Sequence, residues 1–146
     1  MVDWKNIKVQ EKVETVEKPK AEVSEEVANF YVEVAMTGYT NYIKAKYEDW
    51  QNRCYPNPDE LQQKISVDMI KQFTDGISYK PGSKYIKVIR NDGQTSVHSF
   101  IVNTSNDAKF KYGDILKAAS WRAPARNFAR GNIFAKEYGT ISWTGA

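Results

Sequence analysis

A chain of 146 residues with a formal charge of +3, 41% hydrophobic and 27% charged residues has the size and balance of one soluble globular domain, long enough to bury a core and too short for two. The single cysteine, Cys54, excludes an internal disulfide framework, and no run approaches the ~18 apolar residues of a membrane span. A secreted or integral membrane protein is therefore disfavoured, and the cytoplasm is the compatible compartment, with no membrane partner expected.

Residues 1–23 mix Lys and Glu with Val9, Val13, Val16 and Val23 and sustain neither helical nor strand periodicity. This stretch reads as a flexible or docking arm with Trp4 as its anchor, and residues 24–146 as a single α+β domain. At Ser24 a helical pattern begins. Ser24 can cap, Glu25 and Glu26 suit the positive end of the helix dipole, and apolar residues follow at spacings of three and four. One band runs Val27, Phe30, Tyr31, Val34, Gly38, Tyr42 and Ala45, flanked by a line through Ala35, Tyr39, Ile43, Tyr47 and Trp50. The two together predict a broadly covered helix over about 25–53, ended by Tyr55-Pro56-Asn57-Pro58.

A second helix is predicted over about 58–75, with Asn57 as cap, Pro58 at its first position and Glu60 completing a capping box. Leu61, Ile65, Met69, Ile70 and Phe73 form its expected buried side, and Gly76 its left-handed terminator. From Ser78 the period changes to two. KYIKVIR, the Asn91-Asp92-Gly93 turn and TSVHSFIV make a hairpin over about 84–102. A third strand within Phe110–Lys117 and short strands at Ile133-Phe134 and 140–143 would complete an antiparallel sheet. The expected fold is α+β, two N-terminal helices packed on a small, mainly antiparallel sheet.

Little in the chain suits catalysis. His98 is the lone histidine and lies in a strand-like run, so a buried ring with a local partner is the plain expectation. One cysteine with one histidine makes no dyad, and no pair of either has metal-ligand spacing. Gly113 and Gly131 are isolated glycines without a phosphate-loop pattern. No catalytic residue, cofactor or metal is expected.

Chemistry concentrates in the basic C-terminal element, residues 109–146. Lys109, Lys111, Lys117, Arg122, Arg126 and Arg130 stand there with Trp121 and Phe128 among them. Arginine holds phosphate bidentately and an exposed aromatic stacks on bases, the combination expected of nucleic-acid binding without sequence choice. Arg122, Arg126 and Arg130 recur every four residues and would share a face on a short helix over 123–129. Pro124 leaves an ordered loop as the alternative. In the structural reading, arginine stems cover apolar surface while Trp121 and Phe128 fill the core.

The segment GDILKAASWRAPARNFARGNIF, residues 113–134, together with the preceding hairpin, resembles small uncharacterised proteins of marine tailed phages. The resemblance covers the C-terminal half and implies a phage origin, hence a host cytoplasm, with Gly113, Asp114, Lys117, Trp121, Pro124, Arg130 and Gly131 as its signature. It brings no activity with it. The functional expectation is a non-enzymatic protein that contacts nucleic acid or another polyanion through Lys109, Lys111, Lys117, Trp121, Arg122, Arg126 and Arg130. The alternative is a homo-oligomer that uses its aromatic surfaces and N-terminal arm.

Overall fold

The structure, a computed structural model, describes residues 25–146. The arm and the Ser24 cap lie outside the described residues. Two helices, α1 (Glu25–Cys54) and α2 (Glu60–Gly76), precede five strands: β1 (Ile77–Pro81), β2 (Tyr85–Asn91), β3 (Thr95–Val102), β4 (Asp114–Lys117) and β5 (Gly131–Asn132). The strands pair in chain order, each antiparallel to the next. The architecture is the expected α+β arrangement, with the helices N-terminal to the sheet. Among the described residues no helix is long and apolar enough to cross a membrane.

Strand alternation divides the core in two. Ile86 faces Ile101, which faces Ile115, and this row joins Val88, Ile77 and the α1 line Ala35, Met36, Tyr39, Ile43 and Tyr47 in the main core. The adjacent row, Lys80, Lys87, Phe100 and Leu116, points to the opposite side. There Phe100, Val102, Phe110 and Leu116 build a smaller core with Tyr85, Val97, Ala118 and Ala129 packed against it.

Only one of the two α1 lines is buried. Tyr39 and Ile43 are fully covered, whereas Phe30 and Val34 on the other band are 46% and 40% exposed. The expected cap of α2 is also displaced. Asp59 caps the helix, its Oδ1 accepting from Gln62 N at 2.8 Å while Gln62 Oε1 accepts from Asp59 N at 3.1 Å. Asn57 and Asp59 can both cap, but only Asp59 has an amide side chain three residues on that reaches back to close the box here.

The resulting register turns Ser66 and Phe73 inward, Phe73 as expected, and leaves Leu61, Ile65 and Met69 of the expected buried side at the surface. Small Ser66 lets the helices approach, and its hydroxyl donates at 3.2 Å to Oε1 of Gln51, which is also buried. Gln51 in turn donates to the Tyr47 hydroxyl at 3.1 Å, so the polar pair is satisfied within the helix interface. Gly76 does not terminate α2 in a left-handed conformation. The helix passes straight into β1, and a Cβ at Gly76 would fall on the Asn91 carbonyl, so the residue is needed for close approach.

The C-terminal tail returns to the helices. Trp143 sets its edge against Tyr47 and Phe73, which stack on each other at 4.1 Å, while the Arg90 guanidinium lies 4.9 Å from the Trp143 ring centre. The pairing of β2 with β3 skips a residue, from Ser99 opposite Val88 to Val97 opposite Ile89. This bulge at His98 puts His98 and Ser99 on the helix side together, where both meet Tyr39. The third strand is shorter than the expected 110–117, and β5 falls at 131–132, just before Ile133 and Phe134, which are core residues.

Candidate anion-binding groove

Residues 118–130 form an ordered loop that lies over the second core, with Ala118 bridged to Pro124. The helical alternative for 123–129 is not formed. Ser120 Oγ accepts the backbone N–H groups of Arg122 and Ala123, and the Ala123 carbonyl accepts from Ala119 N and Ser120 N, a tight turn that Pro124 then leaves without an amide donor. Arg122, Arg126 and Arg130 therefore share no helical face.

Their surroundings differ. Arg126 forms a two-pronged pair with Asp107, at 2.8 and 3.0 Å, and donates to the Tyr85 hydroxyl at 2.6 Å. Arg126, with the backbone N–H groups of Lys109 and Phe110, holds the Asp107 carboxyl well below its usual range. The Asp107 side chain is only 4% exposed. Lys109 Nζ donates to the carbonyls of Arg126 and Asn127 at 2.7 and 2.8 Å. Both cations thus fasten the loop, Arg126 to β2 and Asp107, and Lys109 to the segment that precedes β4. Arg130 lies with its guanidinium 4.0 Å from the Phe128 ring centre and donates to Asn127 Oδ1 at 3.3 Å. With Lys111 it lines an open hollow of about 740 Å³ beside Tyr112, Asn132 and Glu137. Lys117 is exposed at the end of β4.

Trp121 and Arg122 stand nearer the start of the loop, on the same sheet face away from the helices. They border a groove of about 400 Å³ whose other polar walls are Lys80, Lys84, Lys87 and Tyr85. The Lys87 ammonium lies 4.4 Å from the Trp121 ring centre, a cation–π contact that steadies a ring 47% exposed to solvent. No carboxylate lines the groove, and among the described residues none of the four cations has an acidic partner. Four positive charges held without neutralisation attract anions, and the low wall of Phe100 and Ile89 reduces the screening by water.

Lys80, Lys84 and Lys87 were not among the sequence candidates. Lys87 was visible as the polar member of an alternating strand, but its neighbourhood depends on two facts of pairing. Lys80 sits opposite Lys87 across β1 and β2, and the 118–130 loop folds back to bring Trp121 over Lys87. The resulting site contains two of the seven expected residues, and of the other five Arg126 touches it through the Tyr85 hydroxyl.

The chemistry around His98 is of another kind. The ring is 2% exposed, and Nε2 lies 2.8 Å from the Ser142 carbonyl, which can only accept, so Nε2 carries the proton. Nδ1 then accepts from Ser99 Oγ at 2.9 Å, and Ser99 accepts from the Tyr39 hydroxyl at 2.7 Å. Burial pushes the imidazole pKa down to about 4, outweighing the bond to Ser142, and Arg90 lowers it further. The chain of bonds joins α1, β3 and the tail inside the core. Cys54 is exposed at the end of α1, and among the described residues no group of three or more His, Cys, Asp or Glu side chains could hold a metal ion.

Residues 10–146 match a family described as "Family of unknown function (DUF7717)", and the chain belongs to that family. No curated protein and no solved structure matches it.

Proposed function

We propose that this member of the family is a binding protein for nucleic acid or another polyanion, held through the groove of Lys80, Lys84, Lys87, Trp121 and Arg122. The observation that supports the reading most is the set of four unneutralised cations around an exposed, steadied indole. A phosphate backbone carries regularly spaced negative charge and aromatic bases, and such a wall offers a partner to each. The fold makes the site rigid before binding, so little ordering entropy opposes association. Lys111 and Arg130 extend positive potential along the C-terminal element. Lys109 and Arg126 act by holding the loop in place.

Fluorescence anisotropy of a labelled oligonucleotide at low salt tests this. Replacing Lys80, Lys84 and Arg122 together by alanine is expected to weaken binding roughly 100-fold, since each removed charged contact is worth about 1 kcal/mol or more. All three side chains are exposed, so folding is expected to survive. Unchanged affinity would refute the assignment.

A second reading, self-association, is favoured by α2. Leu61 and Val67 are 66% and 63% exposed beside Ile65 and Met69, an apolar surface that a second copy could cover. Sedimentation velocity over a concentration series should then show a discrete oligomer that Leu61→Lys disperses, and a monomer throughout would dismiss it.

A further inference from the structure

We propose that the groove takes a single strand of nucleic acid, with one unpaired base stacked on Trp121 in a neutral hollow and the flanking phosphates along Lys80, Lys84 and Arg122. This inference rests on the polyanion reading above and narrows it to one ligand class.

Trp121 is a ridge between two depressions. On one side is the basic groove. On the other is a hollow of about 340 Å³ lined by Thr95, Ser96, Val97, Ala118, Ala119 and Ser120, none of them charged. Lys87, a groove residue, packs on the indole and keeps the ring standing between the two.

The pairing of a charged trough with an uncharged one matches the two halves of a nucleotide. Phosphate is an anion and requires donors or cations. A base is flat and uncharged with polar edges, and it gains from an aromatic surface and from hydroxyls that can either donate or accept. Small side chains at Ala118 and Ala119 leave room beside the indole. The Thr95 hydroxyl, on the same face of β3 as Val97, takes part in no side-chain hydrogen bond among the described residues, so it is open to a base edge. Ser120 Oγ accepts from two backbone amides and keeps its own hydrogen to donate.

A duplex cannot use this arrangement. Its bases are stacked on one another and their edges lie at the floor of the grooves, where a protein reaches them with an inserted helix or β-ribbon. The site here is the face of a sheet and a closely packed loop, with Trp121 as a low ridge. An unpaired strand lays its bases open to such a surface.

Four probes separate the possibilities: an oligothymidylate strand, a duplex, an abasic strand of equal length and inorganic polyphosphate. The oligothymidylate is expected to bind about tenfold more tightly than the duplex or the abasic strand. Trp121→Ala should remove that advantage and bring oligothymidylate binding down to the level of the abasic strand, while Trp121→Phe restores most of it. Equal binding of the strand, the duplex and the abasic strand would overturn the single-strand assignment. So would a Trp121→Ala variant that weakens all four probes alike. Those results leave the polyanion reading standing, because binding persists. Absence of binding to every probe at low salt removes the polyanion reading and this inference with it.

Discussion

Replacing Phe73 with alanine is expected to destabilise the fold by about 4 kcal/mol, a large part of the stability of a domain this size. Phe73 is 1% exposed and is the α2 side chain buried within the main core. Its ring stacks on Tyr47 at 4.1 Å with an interplanar angle of 3°, and Trp143 meets it edge-on at 5.9 Å. Arg90 from β2 covers the same ring at 5.6 Å. One truncation therefore removes contacts to a helix, a strand and the tail, and the surrounding aromatics are too rigid to fill the gap. Leu61→Ala on the same helix is the internal control. That side chain is 66% exposed, so its loss should cost within about 0.5 kcal/mol. Urea denaturation of the two variants measures the difference, and similar midpoints would contradict the assigned register of α2.

Acidification from pH 7 to pH 4 is expected to remove roughly 3 kcal/mol of stability through His98 alone. The folded protein holds the imidazole neutral, with its pKa lowered from 6.5 to about 4 mainly by burial. The unfolded chain binds a proton as pH falls through 6.5, whereas the folded chain does not until about 4. Stability is thus fully present above about 6.5, declines between the two values and falls no further from this group below them. Protonation would place a hydrogen on Nδ1, the atom that accepts from Ser99, and break the chain that begins at Tyr39. Asp107 acts in a separate window. Its folded pKa is depressed, so its contribution is present above the usual 3.8 and is lost only at lower pH. Denaturation midpoints measured from pH 7 to 4 should flatten in His98→Gln, which retains a donor for the Ser142 carbonyl and cannot titrate. An unchanged slope in that variant would contradict the buried neutral ring.

The fold class was legible because several local signals agreed. The capping and proline sequence before α2, the Asn91-Asp92-Gly93 turn and the alternation of Ile86, Lys87 and Val88 all point to two helices followed by an antiparallel sheet. The buried side of α2 was legible only in part: Ile70 and Phe73 meet the core as expected, whereas Leu61, Ile65 and Met69 do not. Leu61, Ile65 and Met69 make a good apolar line, but the line through Ser66 and Phe73 is the one that meets α1, because Gln51 supplies a polar partner from 15 positions away. Periodicity identifies stripes and does not say which stripe finds a neighbour.

The candidate site was partly legible for a similar reason. The charge run over 109–130 singled out residues by charge alone, but side-chain destinations depend on tertiary partners. Arg126 meets Asp107 from 19 positions away and Tyr85 from 41, and becomes a fastening. Lys80 and Lys87 are brought together by strand pairing across a turn, which no run of residues displays. Two of the residues that carried the resemblance, Asp114 and Gly131, have a plain structural reason. A Cβ at Gly131 would collide with the Glu137 carbonyl, and Asp114 accepts from Lys111 N and from the Asn132 side chain at 2.9 Å each.

The salt dependence of oligothymidylate binding tests the groove most directly. With four cations lining the groove, Lys87 among them beneath the indole, the logarithm of the association constant should fall linearly against the logarithm of salt concentration with a slope of about −3, and in the Lys80, Lys84 and Arg122 triple alanine variant with a slope of about −1. Equal slopes for the two proteins, or no binding at low salt, would contradict the account.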